Sequence, residues 1–64
     1  MWMVVYVSQD GTAVKKLVEI LRENHILSRV RRIGNNGERQ GFEVLVPQTE
    51  LNSAQDIIID SELF

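Results

Sequence analysis

The chain has 64 residues, no cysteine, and seven basic against nine acidic side chains for a net charge of −2. That length gives a single domain, residues 1–64, near the lower limit for one apolar core, with a stability of roughly 3–9 kcal/mol. The missing cysteines exclude disulfides and thiolate metal sites, and the acidic balance disfavours general affinity for DNA or RNA. A domain this small usually needs added support, and oligomerisation is the remaining source.

Trp2–Val7 (WMVVYV) reads as the first strand. Both alternating sets are apolar, Trp2, Val4 and Tyr6 on one face and Met3, Val5 and Val7 on the other, which predicts burial on both sides. The first set is assigned to the core. The run is too short and too β-branched for a signal peptide or a membrane span, so a soluble cytoplasmic protein is expected.

Ser8-Gln9-Asp10-Gly11 breaks the strand, and Asp10 is placed to cap a helix running to about Asn24. Val14, Leu17, Val18 and Leu21 recur at i, i+3, i+4 and i+7, with Ala13 and Ile20 at the margins of the stripe. Asn24-His25 ends the helix, with Asn24 suited to the left-handed capping conformation.

Ile26–Ile33 reads as the second strand. Ile26, Ser28, Val30 and Arg32 share one face; Leu27, Arg29, Arg31 and Ile33 share the other. The Val30 face is assigned to the helices, because Arg29 and Arg31 side by side are costly to bury. Gly34-Asn35-Asn36-Gly37 is a turn cluster leading to the third strand, Phe42–Val46, with Phe42, Val44 and Val46 inward and Glu43 and Leu45 outward. A two-residue turn at Asn36-Gly37 would set Val30 opposite Glu43 and reverse the buried face. A longer loop or a bulge is therefore required, with a mobile tip. After Pro47 a second helix begins, with Gln48 or Thr49 near its cap and Leu51, Ala54 and Ile58 inward, flanked by Ile57. Ile59 through Phe64 either frays or forms a short last strand.

The order strand–helix–strand–strand–helix is that of an α+β two-layer sandwich, a truncated ferredoxin-like fold. It predicts a three-stranded sheet of order 1-3-2 with both helices on one face. The first strand is then an open edge. The helix-free face carries Met3, Val5, Val7, Leu27, Ile33 and Leu45, which are the candidate oligomer contacts. A homo-oligomer, dimer or trimer, is expected. The alternative is that Ile59–Phe64 closes the edge and arginine stems screen the face.

The opening strand, the Leu-rich helix ending in Glu23-Asn24-His25, and Phe42-Glu43-Val44-Leu45-Val46-Pro47 before the last helix carry a resemblance. In them the chain resembles a bacterial family of very small signal-transducing domains of unknown function, similar in fold to PII-like nitrogen-regulatory proteins. The resemblance implies oligomers of ferredoxin-like subunits that bind effectors between them. It carries over no individual residue, since no nucleotide-binding residues of the PII type are present and residues 34–41 are the sole counterpart of the long regulatory loop.

Three constellations bear on chemistry. Ser8–Thr12 joins a strand to a helix N-terminus, but one glycine and the Asp10 carboxylate favour capping over phosphate binding. Arg29, Arg31 and Arg32, with Arg39 on the adjoining hairpin, form the basic cluster and the candidate ligand or partner site. Cross-strand pairing with Glu43 and Glu38 is the structural alternative. Sheet-face RNA binding needs exposed aromatics, and Trp2 and Tyr6 fall on the face assigned to the core. His25, the one histidine, makes a poor metal site, and Lys15 and Lys16 lie on a surface helix rather than in an enclosed pocket. No catalytic residue, cofactor or metal is expected. The reading is a non-enzymatic regulatory or adaptor module binding a protein partner or a small anionic effector. A nucleic-acid accessory protein using the same arginines is the alternative.

Overall fold

The computed structural model describes residues 1–34 and 40–61. The elements run β1 (Trp2–Ser8), α1 (Gly11–Glu23), β2 (Arg29–Ile33), β3 (Gly41–Pro47), a 3₁₀ turn (Gln48–Glu50) and α2 (Leu51–Ser61). The sheet order is β1-β3-β2, and β3 runs antiparallel to both neighbours. Both helices lie on the face of β3 that carries Val44 and Val46, giving the α+β two-layer sandwich expected from the element order.

The apolar stripe of α1 makes the core. Leu17 and Leu21 are wholly buried against Val44 and Val46, with Val14, Ala54 and Ile58 completing the cluster; Val18 and Ile57 pack at its margin. Asp10 caps α1 as expected, its Oδ1 accepting from the Thr12 N–H at 2.9 Å, which satisfies one of the amides left free in the first turn.

The other end of α1 closes differently from the sequence expectation. His25, not Asn24, takes the left-handed conformation, with φ 62°. Its N–H donates to Arg22 O and the Ile26 N–H to Leu21 O, both at 2.9 Å. This is a Schellman closure, and Ile26, just past it, is buried with Leu21 in the core. Ile26 is thereby committed to ending the helix, so β2 starts at Arg29 rather than at Ile26.

The β2–β3 register sets Val30 opposite Val44, Arg31 opposite Glu43 and Ile33 opposite Gly41. That is one residue away from the register a tight Asn36-Gly37 turn would impose, and Val30 keeps the helix-facing side. Asn36, Gly37, Glu38 and Arg39, including the mobility expected of this tip, lie outside the described residues.

In β1 the face assignment is corrected. The ladder shifts between Val4 and Tyr6: Val4 pairs with Leu45, but Tyr6 pairs with Val44. Val5 is the extra residue of a β-bulge, and it and Tyr6 both pack on the core. Met3, opposite Val46, shares the helix side; Trp2, Val4 and Val7, opposite Pro47, Leu45 and Glu43, share the open side. Tyr6 and Val7 stand where alternation puts them, whereas Trp2, Met3, Val4 and Val5 change faces, because the bulge inverts the alternation on its N-terminal side.

The second helical segment opens with the 3₁₀ turn, anchored by the Gln48 N–H donating to Met1 O at 2.8 Å. It stays helical to Ser61, so Ile59–Ser61 neither frays nor forms a strand; residues 62–64 lie outside the described residues. Among the described residues, no helix is long and apolar enough to cross a membrane.

Candidate functional site

Strand alternation divides the arginine cluster. Arg29 and Arg31, opposite Leu45 and Glu43, project from the helix-free face, while Arg32, opposite Phe42, projects from the helix side. Arg39 lies outside the described residues.

On the helix-free face each arginine has a neighbour. The Arg29 guanidinium sits 4.5 Å from the centroid of the Trp2 ring. Trp2 belongs to β1 and Arg29 to β2, so the contact spans the intervening β3 at Leu45 and Pro47. Leu45 is consequently 7% exposed although no helix covers it. The apolar stem of Arg29 and the indole thus roof part of the sheet, with a cation–π attraction worth about 0.5–1 kcal/mol at an exposed site. Arg31 pairs with Glu43, its Nη2 at 2.6 Å and its Nε donating at 2.8 Å to the same Oε1. That is the cross-strand pairing weighed from the sequence, and such surface pairs contribute about 0–1 kcal/mol.

The candidate contact patch is redistributed by the bulge. Met3 and Val5 lie on the core side, Leu45 is roofed, and Leu27, 65% exposed, stands before β2 rather than in the sheet. Val7 and Ile33 remain on the open face, where Trp2 and Val4 join them. What stays accessible there is an apolar strip along β1, with Val7 at 56% exposure, beside Arg29, whose charge has no carboxylate partner among the described residues.

A second concavity was not foreseen from the sequence. A groove of about 400 Å³ runs between α1 and β2, with Val14, Val18, Val30 and Phe42 as its floor and Lys15, Glu19 and Arg22 on its α1 rim. It continues past Val18 and Arg22 to His25 and Leu27. The helices pack over β1 and β3, so the helix side of β2 stands uncovered and Val30 is 48% exposed. The one sequence signal for it was that the order 1-3-2 makes β2 an edge strand.

Among the described residues, no group of three or more His, Asp or Glu side chains is placed to hold a metal. No family model, no curated protein and no solved structure matches this chain.

Proposed function

We propose that the chain is a non-catalytic, homo-oligomeric regulatory or adaptor module of the cytoplasm, which uses its helix-free sheet face to bind a protein partner or a small anionic effector. The supporting observation is the Trp2–Arg29 pair. A guanidinium whose charge no described carboxylate neutralises lies beside an exposed apolar strip, on a face left bare by both helices. Such a surface takes an occupant with an anionic group next to an apolar or planar body. Arg31, held by Glu43, positions the neighbouring strand rather than offering a free charge. The resemblance to small signal-transducing domains with PII-like folds points the same way, by analogy of fold.

The test combines molar mass with ligand screening. Light scattering across a dilution series should give an oligomer. A thermal-shift panel of phosphate, nucleotides and di- and tricarboxylates should give at least one stabilising anion, whose effect is lost in Arg29→Glu. A monomer that no anion stabilises and no partner protein engages would refute the proposal.

The half-buried Trp2, on the open face against Arg29, also places an aromatic where a sheet-face nucleic-acid site requires one. Binding of a single-stranded oligonucleotide that falls steeply with salt and is lost in Trp2→Ala would favour the accessory-protein reading; no binding at low ionic strength would reject it.

A further inference from the structure

Charge is segregated along the chain. Every lysine and arginine lies between residues 15 and 39, whereas residues 48–61 carry Glu50, Asp56 and Asp60 and no cation. The fold turns this sequence asymmetry into a spatial one. β2 and β1 are the two opposite edges of the sheet, and α2 borders the β1 edge, where Gln55, Ile58 and Ile59 line a groove with Val5. One flank of the molecule is therefore basic and the other acidic, in a protein whose overall charge is only −2.

Each flank also carries an apolar feature lacking a counterpart in its own chain. On the basic flank it is the α1–β2 groove, floored by Val30 and Phe42 and rimmed by Lys15, Glu19 and Arg22, with Arg32 next along the same strand face, so that three cations outnumber the one carboxylate around it. On the acidic flank it is the outer side of α2, where Ile59 is 59% exposed. Asp56 stands three residues before Ile59 and four before Asp60, so the two carboxylates share one helix face and Asp56 borders that isoleucine. Lys15, Arg22 and Arg32 form no ion pair with a described residue, and neither do Asp56 and Asp60.

We propose that the α1–β2 groove receives the outer face of α2 from a second copy of this chain. Ile59 enters between Val18 and Val30, and Asp56 and Asp60 meet Lys15, Arg22 and Arg32. This deepens the self-association reading above and rests on it. The two halves of the contact lie on opposite flanks, so no pair of copies satisfies both at once. The interface is heterologous and generates either a closed ring of three or more copies or an open chain. Its ionic part is exposed, so assembly weakens as salt rises. The helix-free face, with Trp2 and Arg29, is left out of the contact.

The test exploits the asymmetry. Ile59→Arg spoils the α2 side and Val30→Arg spoils the groove; both positions are exposed, so the fold should persist by circular dichroism. Wild type should scatter as three or more protomers, and each variant alone as a monomer. An equimolar mixture should form a one-to-one dimer and nothing larger, because one intact groove then meets one intact α2. Should an arginine variant unfold, Asp60→Lys and Arg22→Glu take the corresponding places. If wild type is oligomeric but the variants keep its mass, or the mixture stays monomeric, this contact is wrong while self-association stands. A symmetric wild-type dimer also overturns it, and a wild-type monomer overturns both.

Discussion

His25→Gly should stabilise the protein. His25 holds φ 62° at the end of α1 because the Schellman closure requires a left-handed residue there, with its N–H on Arg22 O and the next N–H on Leu21 O. A side chain with a Cβ pays about 1–2 kcal/mol for that conformation. Glycine removes this cost but returns about 0.5–1 kcal/mol through its larger backbone entropy when unfolded. The net gain is about 0–1.5 kcal/mol, centred near 0.75, since the exposed imidazole makes no described hydrogen bond or ion pair that would be lost. For a domain of this size the central value corresponds to a rise in Tm of about 3–6 °C. The assay is thermal and urea unfolding followed by circular dichroism, at one fixed protein concentration because self-association would otherwise move Tm. His25→Ala is the control: it keeps the Cβ and therefore the strain, and should stay within about 0.5 kcal/mol of wild type. If glycine is no more stabilising than alanine, backbone strain at His25 is not what the substitution relieves.

Two further outcomes bear on the core and on the open face. Leu17→Ala removes a wholly buried side chain and should cost about 2–5 kcal/mol against a total of roughly 3–9, read as a lowered urea midpoint in far-UV circular dichroism at 25 °C. A double-mutant cycle on Trp2→Ala and Arg29→Ala should give a coupling of about 0.5–1 kcal/mol in urea denaturation. Additive effects would mean that the 4.5 Å stacking contributes nothing.

The sequence was legible wherever one face of an element differs chemically from the other. The 3.6-residue stripe Val14, Leu17, Val18, Leu21 fixes which side of α1 is buried. The cost of burying Arg29 and Arg31 orients β2, and that orientation fixes the β2–β3 register against a tight Asn36-Gly37 turn. β1 offers no such contrast. With apolar residues on both faces, a one-residue insertion at Val5 leaves the hydrophobic pattern undisturbed while exchanging the faces of Trp2, Met3 and Val4. The Arg29–Trp2 contact was invisible for the same reason. The groove escaped notice because local alternation marks Val30 as facing the helix layer, but only the lateral placement of α1 over β3 determines that no helix reaches it.

The bulge at Val5 also bears on how an open-edged sheet of this size avoids edge-to-edge pairing. The β2 edge has three arginines in five residues, and like charges there oppose pairing with another β2 edge. The β1 edge has no charge over its seven residues. Its protection is the bulge, which divides the strand into Trp2–Val4 and Tyr6–Ser8 and twists it away from a flat template. Deleting Val5 tests this directly, because Val4 opposite Leu45 and Tyr6 opposite Val44 would then be consecutive and every other side chain would keep its face. The deletion loses one partly buried valine from the core, a cost of about 1 kcal/mol, and converts β1 into an uninterrupted uncharged edge. The shortened chain should fold, with wild-type far-UV circular dichroism, yet aggregate faster in turbidity and thioflavin assays at equal concentration. Residue substitution separates the two effects: Val5→Ala keeps the bulge, loses similar packing, and should remain as soluble as wild type. Equal aggregation of the deletion and Val5→Ala would assign the effect to lost stability and remove the bulge from its guarding role.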